Sequence, residues 1–248
     1  MKVTVIGYWH AFPKKGEAAS GYLVEHDNYR VLVDCGSGVV SQLQHYCELE
    51  DLDAVVISHY HNDHIGDIGA LHYFRLLTPY ISQKAAKPFA VYGHQEDVQG
   101  FQRLSYKDVV NAIPYNENQT LDIGPFQFSF YKTSHPVPCY AMKIQTSAST
   151  LFYTADTGYM PELAEAAKGA DLLIAECSLY KGQDGTPAGH MNSEEAGKLA
   201  NAADVPALLL THLPHFGDHG QLKKEAQAQC PSTIIDTASA GWSKTLST

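Results

Sequence analysis

The run S-H-Y-H-N-D-H-I-G-D at 58–67 places three histidines and two aspartates in ten positions. It follows directly on D-A-V-V-I at 53–57, whose β-branched residues predict a short buried strand over 54–57. His59, His61, Asp63 and His64 therefore stand where a strand ends and irregular backbone begins, a usual place for a functional loop. In extended backbone, residues two apart project the same way, so His59 and His61 can converge on one ion. Asp63 and His64 lie past that bend and can face a second. Imidazole with carboxylate suits Zn²⁺ best, with Mn²⁺, Fe²⁺ and Co²⁺ as substitutes. A polar surface loop is the plain alternative, but four ligand-type residues in six positions is too dense for it.

Two ions need more ligands than one loop supplies. Three later residues share the setting of His59. His135 follows a strand predicted over 126–132, in K-T-S-H-P. Asp156 follows one over 150–154, in F-Y-T-A-D-T-G. His212 follows one over 207–210, in L-L-L-T-H-L-P. Strand ends brought side by side would put all seven residues in one cleft.

The rest of the chain reads as β-rich, then mixed. Strands are expected over 3–6, 22–25, 29–33, 89–92 and 140–146, with a turn at 26–28. The segment D-C-G-S-G at 34–38 is a turn, followed by a helix over 39–49. Residues 64–81 look helical, with Ile65, Ile68, Leu71 and Leu76 near one face. Later come helices over 162–168, 194–203 and 222–229, and strands over 172–175 and 233–235. Asn192 with Glu195 forms a capping-box pattern. No linker or motif repeat interrupts this, so residues 1–248 are expected to form a single α/β domain with helices outside sheets.

Composition narrows the function. A chain of 248 residues can bury a sizeable core without disulfide staples. The five cysteines show no C-x-x-C pair, which suits a reducing compartment. Met1 leads straight into the first strand with no signal-peptide pattern or membrane-length apolar run, so a cytosolic location and no membrane partner are expected. The net charge of −10 argues against gripping long nucleic acid.

H-Y-H-N-D-H, then His135, Asp156 and His212 in that order, resembles the metallo-β-lactamase superfamily. The resemblance covers nearly the whole chain, including V-D-C-G-S-G at 33–38. It implies a four-layer αββα sandwich with a dinuclear metal site on one sheet edge. His59, His61 and His135 would bind one ion, and Asp63, His64 and His212 the other. Asp156 would bridge them, and Asp34 would orient the histidine loop. Two further segments, L-I-A-E-C-S with Glu176 and A-G-H-M-N-S-E-E-A with His190, resemble motifs of ribonuclease Z-like phosphodiesterases. There the histidine assists at the phosphate or leaving group and the glutamate orients it. The residues flanking Glu176 differ from the motif. Only about 20 residues separate His135 from Asp156, where ribonuclease Z inserts an arm that grips transfer RNA. The closest resemblance is therefore to the short, arm-less bacterial hydrolases.

These readings together imply a phosphodiesterase acting on small phosphodiesters or short oligonucleotides, not transfer RNA. A homodimer is compatible by analogy with such relatives. The expected nucleophile is a metal-bridging hydroxide, since metal binding lowers the pKa of water from 15.7 to about 7. Asp63 would be ligand and proton acceptor, and His190, backed by Glu176, would protonate the leaving oxygen. The alternatives are a thioester or lactam hydrolase and a non-catalytic metal-dependent binding protein. Common class B β-lactamases use cysteine where Asp156 stands, glyoxalase II carries a longer helical C-terminal region, and neither explains His190. His94 and His215 could approach the cleft. His10, His26, His45, His72 and His219 are expected at the surface or in packing. Cys139 and Cys177 lack a partnering base, so a thiol nucleophile is not expected.

Overall fold

Six strands open the chain: Lys2–Gly7 (β1), Gly21–His26 (β2), Tyr29–Val33 (β3), Ala54–Val56 (β4), Phe89–His94 (β5) and Val110–Tyr115 (β6). Eight more follow: Thr120–Ile123 (β7), Phe126–Lys132 (β8), Tyr140–Gln145 (β9), Thr150–Tyr153 (β10), Leu172–Glu176 (β11), Ala207–Thr211 (β12), Ile234–Thr237 (β13) and Ser243–Thr245 (β14). The structure is a computed structural model, and it describes residues 1–82 and 88–246.

The strands form two seven-stranded sheets, ordered β14-β1-β2-β3-β4-β5-β6 and β13-β12-β11-β10-β9-β8-β7. Each is antiparallel at one end and parallel at the other, the change falling at β3–β4 and at β10–β11. Period-two alternation sorts the side chains. In the first sheet Val3, Val5, Val31, Val33, Ala54 and Val56 face the second sheet and its Phe126, Phe128 and Phe130. Their neighbours Ile6, Leu32, Val55 and Ile57 face a separate core. That second core is closed by Val39, Val40 and Leu43 of Val39–Leu43 (α1), Ile65 of Asn62–Ile65 (α2), and Ile68 and Leu71 of Ile68–Ile81 (α3). A short helix, Val98–Gln102 (α4), lies beyond β5. Pro161–Ala167 (α5), Ser193–Ala203 (α6) and His219–Gln227 (α7) cover the other sheet. The layers are helix, sheet, sheet, helix: an α/β sandwich of the expected αββα kind. Among the described residues no helix is long and apolar enough to cross a membrane.

Several boundaries differ from the sequence reading. The helix expected over 64–81 breaks at Gly66–Asp67, because the Asp67 carboxylate turns away to accept the Val40 N–H at 2.9 Å. Leu76 is only half-buried, and Phe74 packs on the core instead. The helix expected over 39–49 stops at Leu43. The Asn192–Glu195 capping box is formed in both directions.

Strand direction fixes what meets at the sheet edges. β1 and β3 run the same way because two antiparallel steps restore direction, and β4 is parallel to β3. The same parity aligns β8 with β10, β11 and β12. The segments that leave the carboxyl ends of these strands, where ligands bind in open α/β sheets, carry the candidate site residues, with Asp63 and His64 in α2 and His190 just before α6.

Candidate metal centre

Asp34 organises the histidine loop. It follows β3 with a left-handed φ of 59° and is fully buried. Its carboxylate accepts from Ser58 N at 2.8 Å, Ser58 Oγ at 2.9 Å, Tyr153 Oη at 2.8 Å and His64 Nδ1 at 2.7 Å. The carboxylate acts as acceptor, so His64 carries its proton on Nδ1 and turns Nε2 towards the cluster. His135 is oriented the same way, with Nδ1 donating to the Gly189 carbonyl at 3.1 Å. Gly189 has φ 70°, and a Cβ there would lie 2.8 Å from His135 Cα.

The seven residues fall into two groups around one carboxylate. His59 Nε2 is 3.1 Å from His61 Nδ1, and that atom is 3.2 Å from His135 Nε2. Asp156 Oδ2 faces this trio, 3.6 Å from His59 Nε2 and 4.0 Å from His135 Nε2. Its Oδ1 faces the others, 3.3 Å from His64 Nε2 and 3.5 Å from His212 Nε2. Asp63 Oδ2 closes the second group, 3.1 Å from His212 Nε2 and 3.7 Å from His64 Nε2. In each group one donor atom per residue lies within 4.8 Å of every other.

These contacts suit cations. Ring nitrogens of several imidazoles converge on one spot beside a carboxylate oxygen, the donor arrangement that zinc and similar ions use. Asp156 Oδ1, although buried, accepts no hydrogen bond from the described residues. An orphaned carboxylate oxygen among imidazole nitrogens fits a metal ligand set. Burial holds the His59, His61 and His135 rings towards the neutral, metal-binding form. Burial would also raise Asp63, but His64 and His212 hold it well below the usual carboxylate range.

Glu176 and His190 sit beside the second group. His190 Nδ1 donates to Glu176 Oε1 at 2.8 Å, and the Thr157 N–H donates to the same oxygen at 2.9 Å. Glu176 Oε2 accepts from Ser178 Oγ at 2.8 Å, and Ser178 Oγ lies 2.9 Å from His212 Nδ1. Burial pushes His190 down, but the Glu176 carboxylate overrides it, with Asp156 and Asp63 adding, and lifts its pKa to about 9. The His190 ring lies 5.4 Å from that of His212 and 5.3 Å from that of His135.

The expectation for His10 needs correction. Its ring stacks on His212 at 4.6 Å and lies 4.8 Å from His190, so it belongs to the wall of the cleft. Burial, with His212 and His190 beside it, lowers its pKa to about 3. The signal was available: His10 stands three residues past β1, as His135 stands three past β8. Ser178, inside A-E-C-S, joins the site as well, linking Glu176 to His212. His215 donates from Nε2 to the His10 carbonyl at 2.8 Å, one layer behind the cleft. His94 packs on Tyr60 at 4.5 Å and belongs to none of the metal-capable groups. Cys139 and Cys177 are buried, which pushes both thiols well up and away from the reactive thiolate.

The family model described as Beta-lactamase superfamily domain matches residues 29–213. This chain belongs to the beta-lactamase superfamily. Within it, the "Probable metallo-hydrolase YhfI" of Bacillus subtilis (strain 168) is 51% identical over 227 residues, 92% of this chain and 93% of that protein. The crystal structure of YhfI superposes with a TM-score of 0.93 at 47% identity, covering 98% of both chains. Human tRNase Z, short form, has a TM-score of 0.75 at 19% identity, covering 99% of both chains. A diphosphatase from the PhnP family also has a TM-score of 0.75 at 19% identity, covering 98% of this chain and 97% of that one. At such identities the last two structures show the shared fold alone.

Proposed function

We propose that this metal-dependent hydrolase is a phosphodiesterase that works with two divalent ions, zinc by preference. His59, His61, His135 and Asp156 Oδ2 would hold one, and Asp63, His64, His212 and Asp156 Oδ1 the other. When bound, the ions supply Lewis acidity and bring the pKa of a water from 15.7 to about 7. The observation that carries the reading is the His190–Glu176 pair at 2.8 Å, whose carboxylate favours the protonated ring beside the ligand cluster. Phosphoryl transfer spreads negative charge over three equatorial oxygens as well as the leaving oxygen, so a positive donor outside the ligand set has work to do. With Nδ1 committed to Glu176, the His190 proton available for the leaving oxygen is on Nε2. Asp63 would take the proton of the attacking water, in addition to its role as a ligand of the second ion.

The substrate is small. Between His135 and Asp156 the chain forms only β9, a tight turn and β10, which leaves no arm for transfer RNA. The net charge of −10 favours the same conclusion. The relatives named tRNase Z and diphosphatase are compatible with phosphate-ester chemistry on this fold. The test is metal-loaded protein against bis-p-nitrophenyl phosphate, nitrocefin and S-lactoylglutathione. Turnover of the first alone is expected; turnover of either other substrate without the first would replace the reading with lactam or thioester hydrolysis.

A further inference from the structure

The segment Y-W-H-A-F at 8–12 does more than place His10. Phe12 is 58% exposed, unusual for phenylalanine, yet its ring is held. It stacks on His215 with centroids 3.9 Å apart and planes 6° from parallel. His215 stacks in turn on Trp9 at 5.0 Å and 17°. Trp9 is buried, with Lys14 Nζ 3.9 Å from its ring centroid. The tiers run Lys14, Trp9, His215 and Phe12. His215 covers one face of Phe12, and the residue as a whole stays open to solvent.

The backbone is shaped to hold this end piece. Ala11 adopts φ 61°, and the Phe12 N–H donates back to the His10 carbonyl at 2.7 Å, closing a three-residue turn. The same carbonyl accepts from His215 Nε2 at 2.8 Å, which fixes the plane of the middle ring. The Ala11 N–H donates to Asp63 Oδ2 at 2.9 Å, tying the turn to the centre itself. A non-glycine residue held left-handed costs of order 1 kcal/mol and persists where the surroundings over-determine it, commonly at ligand clamps. Two residues span at most about 7 Å, so Phe12 stands within that reach of His10, whose ring touches His212 and His190.

We propose that Phe12 is the open end of a stacking platform that receives the base of a nucleoside phosphate ester bound at the centre. The proposal rests on the phosphodiesterase reading and names its substrate class. A pre-stacked exposed ring offers a flat apolar face without having to be ordered first, and base stacking on such a face is sequence-tolerant.

The test is calorimetric titration of the metal-loaded protein with adenosine 5′-monophosphate and with ribose 5-phosphate, which has the same sugar phosphate with a hydroxyl in place of the base. The wild type should bind the nucleotide about tenfold more tightly or better. In Phe12→Ala and in Phe12→Leu, apolar but not planar, that ratio should fall towards one; Phe12→Trp should keep it. A ratio near one in the wild type, or one unmoved in Phe12→Ala, overturns the platform. Binding is read without turnover, so failure to cleave bis-p-nitrophenyl phosphate would instead strike the phosphodiesterase reading.

Discussion

Glu176→Gln removes a charge from beneath His190 while keeping the shape of the side chain. In the wild type His190 is lifted from 6.5 to about 9 against the downward push of burial. That gap corresponds to about 3 kcal/mol of preference for the charged ring in the folded protein. With the Glu176 carboxylate gone, Asp156 and Asp63 still pull upward, but burial opposes them without its main counterweight, so the ring should titrate well below 9. Its protonated fraction at about pH 7.5 to 8 should then drop measurably from nearly all. The assay is histidine NMR of chelator-treated protein, with the His190 signal assigned by its absence in His190→Gln. Stability gives a second reading. A folded pKa above the unfolded one contributes stability that is complete below about 6.5 and lost as pH rises through about 9. The unfolding free-energy gap between wild type and Glu176→Gln should therefore narrow by up to about 3 kcal/mol across that window. An unchanged His190 titration, or a gap flat with pH, would refute the reasoning.

Other substitutions separate the roles by different readouts. Asp34→Asn keeps the size of a side chain that takes four hydrogen bonds but loses its charge, and should cost about 3 kcal/mol in denaturant unfolding; it should also weaken metal binding ten- to a hundredfold in chelator competition. Asp156→Ala should lose both ions by plasma emission analysis, whereas His190→Ala should retain them and lose about 10²–10⁴ in turnover; equal metal loss in the two would contradict the assignment. Gly189→Ala forces a left-handed φ of 70° on alanine and drives a Cβ into the His135 backbone, so it should lower both melting temperature and metal affinity.

What could be read in the sequence tracked burial. The strands that lead to His59, Asp156 and His212 are apolar runs, the one before His135 alternates as F-Q-F-S-F, and each is followed by a metal-capable residue, features that survive as text. The strands not foreseen, β6, β7 and β14, are all edge strands. Edges bury least and so alternate least; β14 is S-K-T, and β6 carries Pro114, which an edge tolerates and a central strand does not. The break at Gly66–Asp67 depends on a contact with α1 that no local pattern encodes. Ser178 is invisible for a similar reason: a serine becomes a relay only when the fold places it between Glu176 and His212. His10 differed, since the strand-end logic applied to His135 holds for it too.

The two sheets follow one wiring diagram, with β14 taking in the first the part that β7 takes in the second. The proposed ligands divide along the same line, four from the first sheet's edge and three from the second's. The centre is thus a clasp on a book whose covers are the sheets. His61 and His135, 3.2 Å apart, come from opposite covers, so parting the edge by a bond length would break the first group while leaving every strand intact. With ions held as proposed, occupancy and sheet spacing become one variable, and a perturbation that lets the covers slide would register first as released metal and only later as lost secondary structure.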